Sequence, residues 1–166
     1  MKNKFNPASS ASGFSESELA TLAENIKRWG RELGFQQVGI TDTQTGEHSE
    51  HLRRWLDKNL HGEMAYMADR EALRRDPTAL HEKTLRVISL RMDYLPPDVE
   101  TVKLLDHPRT AYVSRYALGR DYHKLIRKRI KQLADTIIEH TGERSQRPFV
   151  DSAPVLERAF AEKAGL

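Results

Sequence analysis

The chain of 166 residues contains no cysteine, so it forms no disulfide and offers no thiolate to an iron–sulfur cluster or a structural zinc. Any cluster it works with must be held elsewhere. It also lacks an apolar run near the ~20 residues that a bilayer-crossing helix needs, and nothing in it reads as a span. Its glycines are scattered: Gly39, Gly46, Gly62 and Gly119 stand alone, so neither a dinucleotide fingerprint nor a P-loop can be drawn. Nicotinamide and ATP are set aside on that ground. The basic start, Met1-Lys2-Asn3-Lys4, runs into Ala8-Ser9-Ser10-Ala11-Ser12-Gly13 rather than an apolar stretch, which excludes a secretory signal. Residues 1–16 read as a disordered tail before a single domain over 17–166.

What is present is a polar but globular balance, 38% hydrophobic and 31% charged, on a chain long enough to bury roughly 70% of its unfolded surface. The net charge of +3 is unevenly spread. Between Arg109 and Lys131 eight basic residues face one acid, Asp121. Arg120, Lys124, Arg127, Lys128 and Lys131 fall on one side of a helix at 3.6-residue spacing. Such a stripe suits the phosphates of a nucleic acid, but from charge alone it reads first as a solvated helix face.

Ser15 with Glu18 makes a capping box, and Leu19, Leu22, Ile26, Trp29 and Leu33 then recur at helical spacing up to Gly34. The stretch Phe35 to Thr41 reads as a strand, His51 to Lys58 as a second helix, and Leu85 to Leu90 as the clearest strand, its segment ending at Pro96-Pro97. Tyr66 to Arg70 is left open between a helical turn and a loop, and a short helix follows Pro77. A long helix is expected over Asp121 to His140 with Tyr122, Leu125, Ile126, Leu133 and Ile137 inward. Arg147 to Val150 reads as a short strand that delivers Asp151, and Pro154 as the start of a final helix. With only Leu166 after Gly165, that helix is expected to end uncapped. Strands alternating with helices predict an α/β domain, a mixed open sheet flanked by helices, with functional residues where strands end and helices begin.

The densest grouping of ionisable and aromatic side chains is Tyr112-Val113-Ser114-Arg115-Tyr116-Ala117-Leu118-Gly119-Arg120-Asp121-Tyr122-His123. With Phe149-Val150-Asp151-Ser152-Ala153-Pro154-Val155-Leu156-Glu157-Arg158 and Ala161-Glu162-Lys163-Ala164-Gly165-Leu166, it resembles the N-terminal, cobalamin-binding part of epoxyqueuosine reductase, from about Leu19 to the last residue. The resemblance implies reduction of epoxyqueuosine to queuosine at the wobble position of tRNA, the last step of queuosine biosynthesis. It implies cobalamin and two 4Fe–4S clusters, the ligands of the latter absent here, together with the anticodon region of tRNA and an external electron donor as partners. A cytoplasmic monomer is expected, without membrane attachment. The chain is expected to be incomplete at its C-terminus and inactive by itself.

By the same resemblance Asp151 is the proton donor over the corrin, and Arg74 and Ser114, with Asp151, contact the cofactor. From the residues alone, Asp151 reads first as a helix N-cap, and the two roles conflict, because capping favours the ionised carboxylate whereas a donor must be protonated. Arg74 reads equally as a surface ion pair, and Ser114 as a buried or turn serine. Asp121-Tyr122-His123 partly mimics the Asp-x-His-x-x-Gly motif of other cobalamin proteins, but Ile126 stands at the glycine position. His123 is therefore read as a helix-start or RNA-contact residue, and no metal ligand is assigned. The Met64-Ala65-Tyr66-Met67 cluster reads as ordinary core. The rival functional class is a non-catalytic basic RNA-binding or adaptor domain.

Overall fold

A pair of antiparallel strands carries helices on both faces. The computed structural model describes residues 13–95 and 100–166. Most of the tail expected over 1–16, and the Pro96-Pro97 stop, lie outside the described residues. Helix α1 (Glu16–Glu32) opens on the expected capping box: the Ser15 hydroxyl accepts the Glu18 N–H, and the Glu18 carboxylate accepts the Ser15 N–H at 2.7 Å. There follow β1 (Gln37–Thr41), α2 (Glu47–Asp57), three short helices α3 (Ala65–Asp69), α4 (Glu71–Arg75) and α5 (Pro77–Leu80), and β2 (Val87–Arg91). After α6 (Thr101–Leu105) and a 3-10 turn at Arg115–Ala117 come the long α7 (Tyr122–Thr141) and the terminal α8 (Glu157–Lys163). The expected α/β architecture, helices flanking an open sheet, is what the chain forms. Among the described residues the sheet is β1 paired antiparallel with β2.

The register runs from Gln37 opposite Arg91 to Thr41 opposite Val87, and strand alternation then fixes what each face carries. Val38, Ile40, Ile88 and Leu90 share one face, where they join Ile26 of α1, Leu133 and Ile137 of α7, and Phe35 in the main core. Gly39, paired with Ser89, belongs to the other face, and there the end of α8 comes close. A Cβ on Gly39 would lie 2.4 Å from Ala164 Cβ and 2.9 Å from the Ala164 carbonyl. Only the bare glycine lets the C-terminal turn seat on β1.

That turn is capped, contrary to the expectation of an open end. Gly165 adopts φ +78°, its N–H bonds to Glu162 O at 3.0 Å, and the Leu166 N–H bonds to Ala161 O at 3.0 Å. This is the Schellman arrangement, and a single residue beyond glycine is enough to complete it.

Other boundaries moved for local reasons. Helix α2 starts at Glu47, ahead of His51, because Gly46 takes positive φ and the acidic Glu47 and Glu50 suit a first turn. The segment left open becomes the single turn α3. The strand expected over Arg147 to Val150 does not form, and these residues face Leu85 to Leu90 across a cavity rather than across a ladder. Pro154 is buried ahead of α8, which begins at Glu157. Leu125, expected inward, is 46% exposed; it sits beside the basic stripe, whereas Ile126, Leu133 and Ile137 turn to the core.

Replacing Gly39 by alanine should destabilise the chain by about 1–3 kcal/mol, the usual cost of overpacking where backbone cannot retreat. Urea unfolding measures it. A midpoint equal to that of the wild type would mean that the α8 turn does not rest on β1.

Candidate functional site

The sequence Asp121-Tyr122-His123 at the head of α7 builds the site. Asp121 is the N-cap: its Oδ1 accepts the His123 backbone N–H at 3.0 Å and lies 2.9 Å from His123 Nδ1. Those bonds, the side-chain one first, hold the Asp121 carboxyl below its ordinary value. The ring of Tyr122 stacks on that of His123, with centroids 4.1 Å apart and planes 24° from parallel. Its hydroxyl crosses to the segment before α8 and donates to Asp151 Oδ2 at 2.5 Å. His123 Nε2 lies 3.7 Å from the same oxygen. Asp121, His123, Asp151 and Tyr122 thus form one connected polar group, open to solvent on one side.

Asp151 occupies an unusual backbone position, with φ +53°, a region sparsely used by residues other than glycine but most tolerated by Asp and Asn. Its carboxylate is aimed at Tyr122, and it caps no helix, since the N-cap position of α8 belongs to Leu156. The cap reading is therefore removed. The Asp151 bond, ahead of partial burial and the aspartate's charge, pushes the Tyr122 phenol up to about 12. Glu157 stands near by. Crowding by protein atoms, and secondly the Asp151 charge, raise its carboxyl above the ordinary value, although the residue as a whole keeps exposed surface.

Asp151 and Glu157 also line a cavity of about 600 Å³. Its walls are apolar, from Ile88 and Leu90 of β2, Ile126, Ile130 and Leu133 of α7, and Phe160 of α8, while Asp151, Glu157 and Arg158 supply polar groups to its lining. Two bonds fasten its far side: Arg147 Nη1 donates to Leu80 O at 2.6 Å, and His81 Nε2 lies 2.6 Å from Ser145 O.

The other expected site residues are placed unevenly. Ser114 is exposed and caps the 3-10 turn, its carbonyl accepting the Ala117 N–H at 2.9 Å. That turn carries Tyr116, whose ring meets Tyr122 edge-on at 6.2 Å, so Ser114 and Asp151 belong to one neighbourhood. Arg74 does not join them by any bond among the described residues. Its Nη1 reaches the carbonyls of Tyr66 and Arg70 at 3.5 and 3.4 Å. The ion-paired arginine is Arg75, held by Glu50 at 3.1 Å and Glu71 at 3.5 Å. In the basic stripe Lys131 is paired with Asp135 at 2.6 Å; Lys124, Arg127 and Lys128 are exposed and make no ion pair among the described residues.

Sequence reasoning missed Tyr122, which it assigned to the core. The available signal was chemical: a tyrosine hydroxyl near the interior needs an acceptor, and the polar tract around it supplied none at helical spacing.

Because the Tyr122 hydroxyl is raised from 10.0 to about 12 in the folded chain, its bond contributes to stability below pH 10 and loses that contribution as pH rises towards 12. Absorbance titration should show one of the five tyrosines ionising late, and Asp151→Asn should move it back towards 10. A phenol that titrates identically in both chains would contradict the contact.

Comparison with known proteins follows the same residues. The family described as "Epoxyqueuosine reductase QueG, DUF1730" matches residues 74–152, which include Arg74, Ser114 and Asp151. The chain is 59% identical over 160 residues to the epoxyqueuosine reductase of Pseudomonas aeruginosa, covering 96% of this chain and 44% of that protein. It is 57% identical over 149 residues to the epoxyqueuosine reductase of Escherichia coli K12, covering 90% of this chain and 39% of the relative. The crystal structure of a selenomethionine-labelled epoxyqueuosine reductase superposes with a TM-score of 0.68 at 21% identity, over 89% of this chain and 39% of that one. This last likeness speaks to fold. The chain spans about two fifths of the length of the relatives it matches.

Proposed function

The chain belongs to the epoxyqueuosine reductase family, and from that premise we propose that it forms the proton-donating, RNA-facing part of an enzyme that reduces epoxyqueuosine to queuosine at the wobble position of tRNA. Asp151 is the general acid. The observation that carries this reading is its contact with Tyr122: a carboxyl held by a side chain from another element, at the edge of a cavity and on strained backbone, is placed for something other than helix capping. Tyr122 occupies Oδ2, which leaves Oδ1 for the transferable proton. His123, its Nδ1 held by the ionised Asp121 and its Nε2 turned towards Oδ2, flanks the side of the carboxyl that Tyr122 holds, and Oδ1 recovers its proton from solvent after each transfer.

Cobalamin is the group this reading assigns: the largely apolar cavity wall beside Asp151 suits a flat macrocycle, while Ser114 and Arg74, which do not line that cavity, would meet only the cofactor's periphery, Arg74 with donors to spare for amides or a phosphate because its partners among the described residues are two carbonyls near the limit of hydrogen-bond length. When bound, the group supplies reducing electrons at its cobalt. Iron–sulfur clusters do not fit these 166 residues, which have no thiolate to offer. Their ligands, and the external donor that charges them, lie outside these residues. This reading puts the protein in the cytoplasm with tRNA, acting as a monomer. No helix among the described residues is long and apolar enough to cross a membrane.

The decisive experiment uses Asp151→Asn in a chain of the relatives' full length. Asparagine keeps the side chain's shape and tolerates the left-handed backbone, but it cannot release a proton. Turnover should fall ~10²–10⁴-fold, with tRNA and cobalamin affinities close to wild type. Normal turnover, whatever the effect on melting, would remove Asp151 from the chemistry.

A further inference from the structure

Next to Asp151, outside the catalytic roles assigned above, an aromatic ladder stands in solvent. Tyr94, on the segment leaving β2, is 64% exposed, and Tyr116, on the 3-10 turn, is 55% exposed. Their rings meet edge-to-face with centroids 6.4 Å apart and planes at 82°. Tyr116 in turn meets Tyr122 at 6.2 Å and 88°, and Tyr122 is anchored on Asp151. Three separate parts of the chain therefore converge to fix the rings' orientation while leaving two of them uncovered.

Rings held by edge contacts keep their flat faces free, and a preorganised flat face is what a stacking ligand requires. The charges left unpaired on the adjoining turn and on the first turns of α7 are positive. Arg115, Arg120, Lys124, Arg127 and Lys128 make no ion pair among the described residues, and the acid among them, Asp121, is engaged by His123. An apolar protein partner would bury these cations without compensation. A single-stranded nucleic acid offers a π face and a phosphate at each step, matching both features.

We propose that Tyr94 and Tyr116 form a stacking platform for an unpaired base of the RNA substrate, with the unpaired cations at the head of α7 holding the adjoining phosphates. The proposal rests on the reading of this chain as tRNA-directed and deepens it: the platform holds a neighbour of the reacting nucleotide, so that the reacting nucleotide reaches Asp151. Stacking of this kind is worth ~1–3 kcal/mol per base, a loss of roughly 5- to 150-fold in affinity when a ring is removed.

The test measures binding of this chain to an anticodon-type stem–loop RNA carrying a fluorescent adenine analogue at successive loop positions. Tyr116→Leu and Tyr94→Leu should each weaken binding about tenfold without changing its salt dependence, and should abolish quenching at one loop position. Tyr116→Trp should retain both. Lys124→Gln with Arg127→Gln should instead weaken binding and flatten the salt dependence by roughly 0.7–0.9 in the log–log slope per lost contact. Tyr94, which touches Tyr116 and not Tyr122, carries the test if Tyr116→Leu disturbs folding. Wild-type affinity and quenching in the leucine variants, with weaker binding in the Lys124/Arg127 variant, would overturn the platform and leave the tRNA reading standing. Absence of binding to the stem–loop, or preference for an acidic peptide, would overturn the tRNA reading and the platform with it.

Discussion

The hydrogen bond from the Tyr122 hydroxyl to Asp151 joins two parts of the chain that share no secondary structure: the first turn of α7 and the irregular segment that ends at α8. Asp151 stands at the lining of a cavity, and the bond reaches it from α7. The same phenol stacks on His123 and abuts Tyr116. A single side chain thus orients a carboxylate, an imidazole and an exposed aromatic ladder. The left-handed backbone at Asp151 is the cost of turning its carboxylate towards that partner, and surrounding structure must sustain it.

Helices were legible in the sequence wherever one face is buried continuously. The spacing of Leu22, Ile26, Trp29 and Leu33 foretold α1, and Ile126, Leu133 and Ile137 foretold α7, because burial against the sheet selects residues at helical period. Leu125 misled because apolar identity does not say which side of the stripe a residue takes. The strand expected before Asp151 failed for a different reason. A strand needs a neighbour to bond, and neighbours are a matter of tertiary arrangement; Phe149 and Val150 face a cavity instead.

The site was half legible. Asp151 stood out through its motif, yet whether it capped a helix depended on where α8 begins, six residues later at Glu157, which the buried Pro154 obscured. Tyr122 was hidden by its own periodicity, since a residue at the first helical position that lines up with Ile126 looks like core. Arg74 and Arg75 were indistinguishable in sequence. Geometry separates them, giving Arg75 to Glu50 and Glu71 and leaving Arg74 without a carboxylate partner among the described residues. Composition was unambiguous on one point: without cysteine these residues offer no thiolate, so ligation of an iron–sulfur cluster needs residues from elsewhere.

The central claim is that Tyr122 and Asp151 act on each other directly, and a double-mutant cycle in urea at neutral pH tests it. Tyr122→Phe, Asp151→Gly and the double variant each remove the bond, since phenylalanine has no donor and glycine no acceptor, and glycine tolerates the left-handed backbone at this position. The expected result is non-additive: Tyr122→Phe lowers stability when residue 151 is aspartate and has a much smaller effect when it is glycine. Equal effects of Tyr122→Phe in the two backgrounds would mean that the hydroxyl and the carboxylate are independent, and the site built upon their contact would not stand.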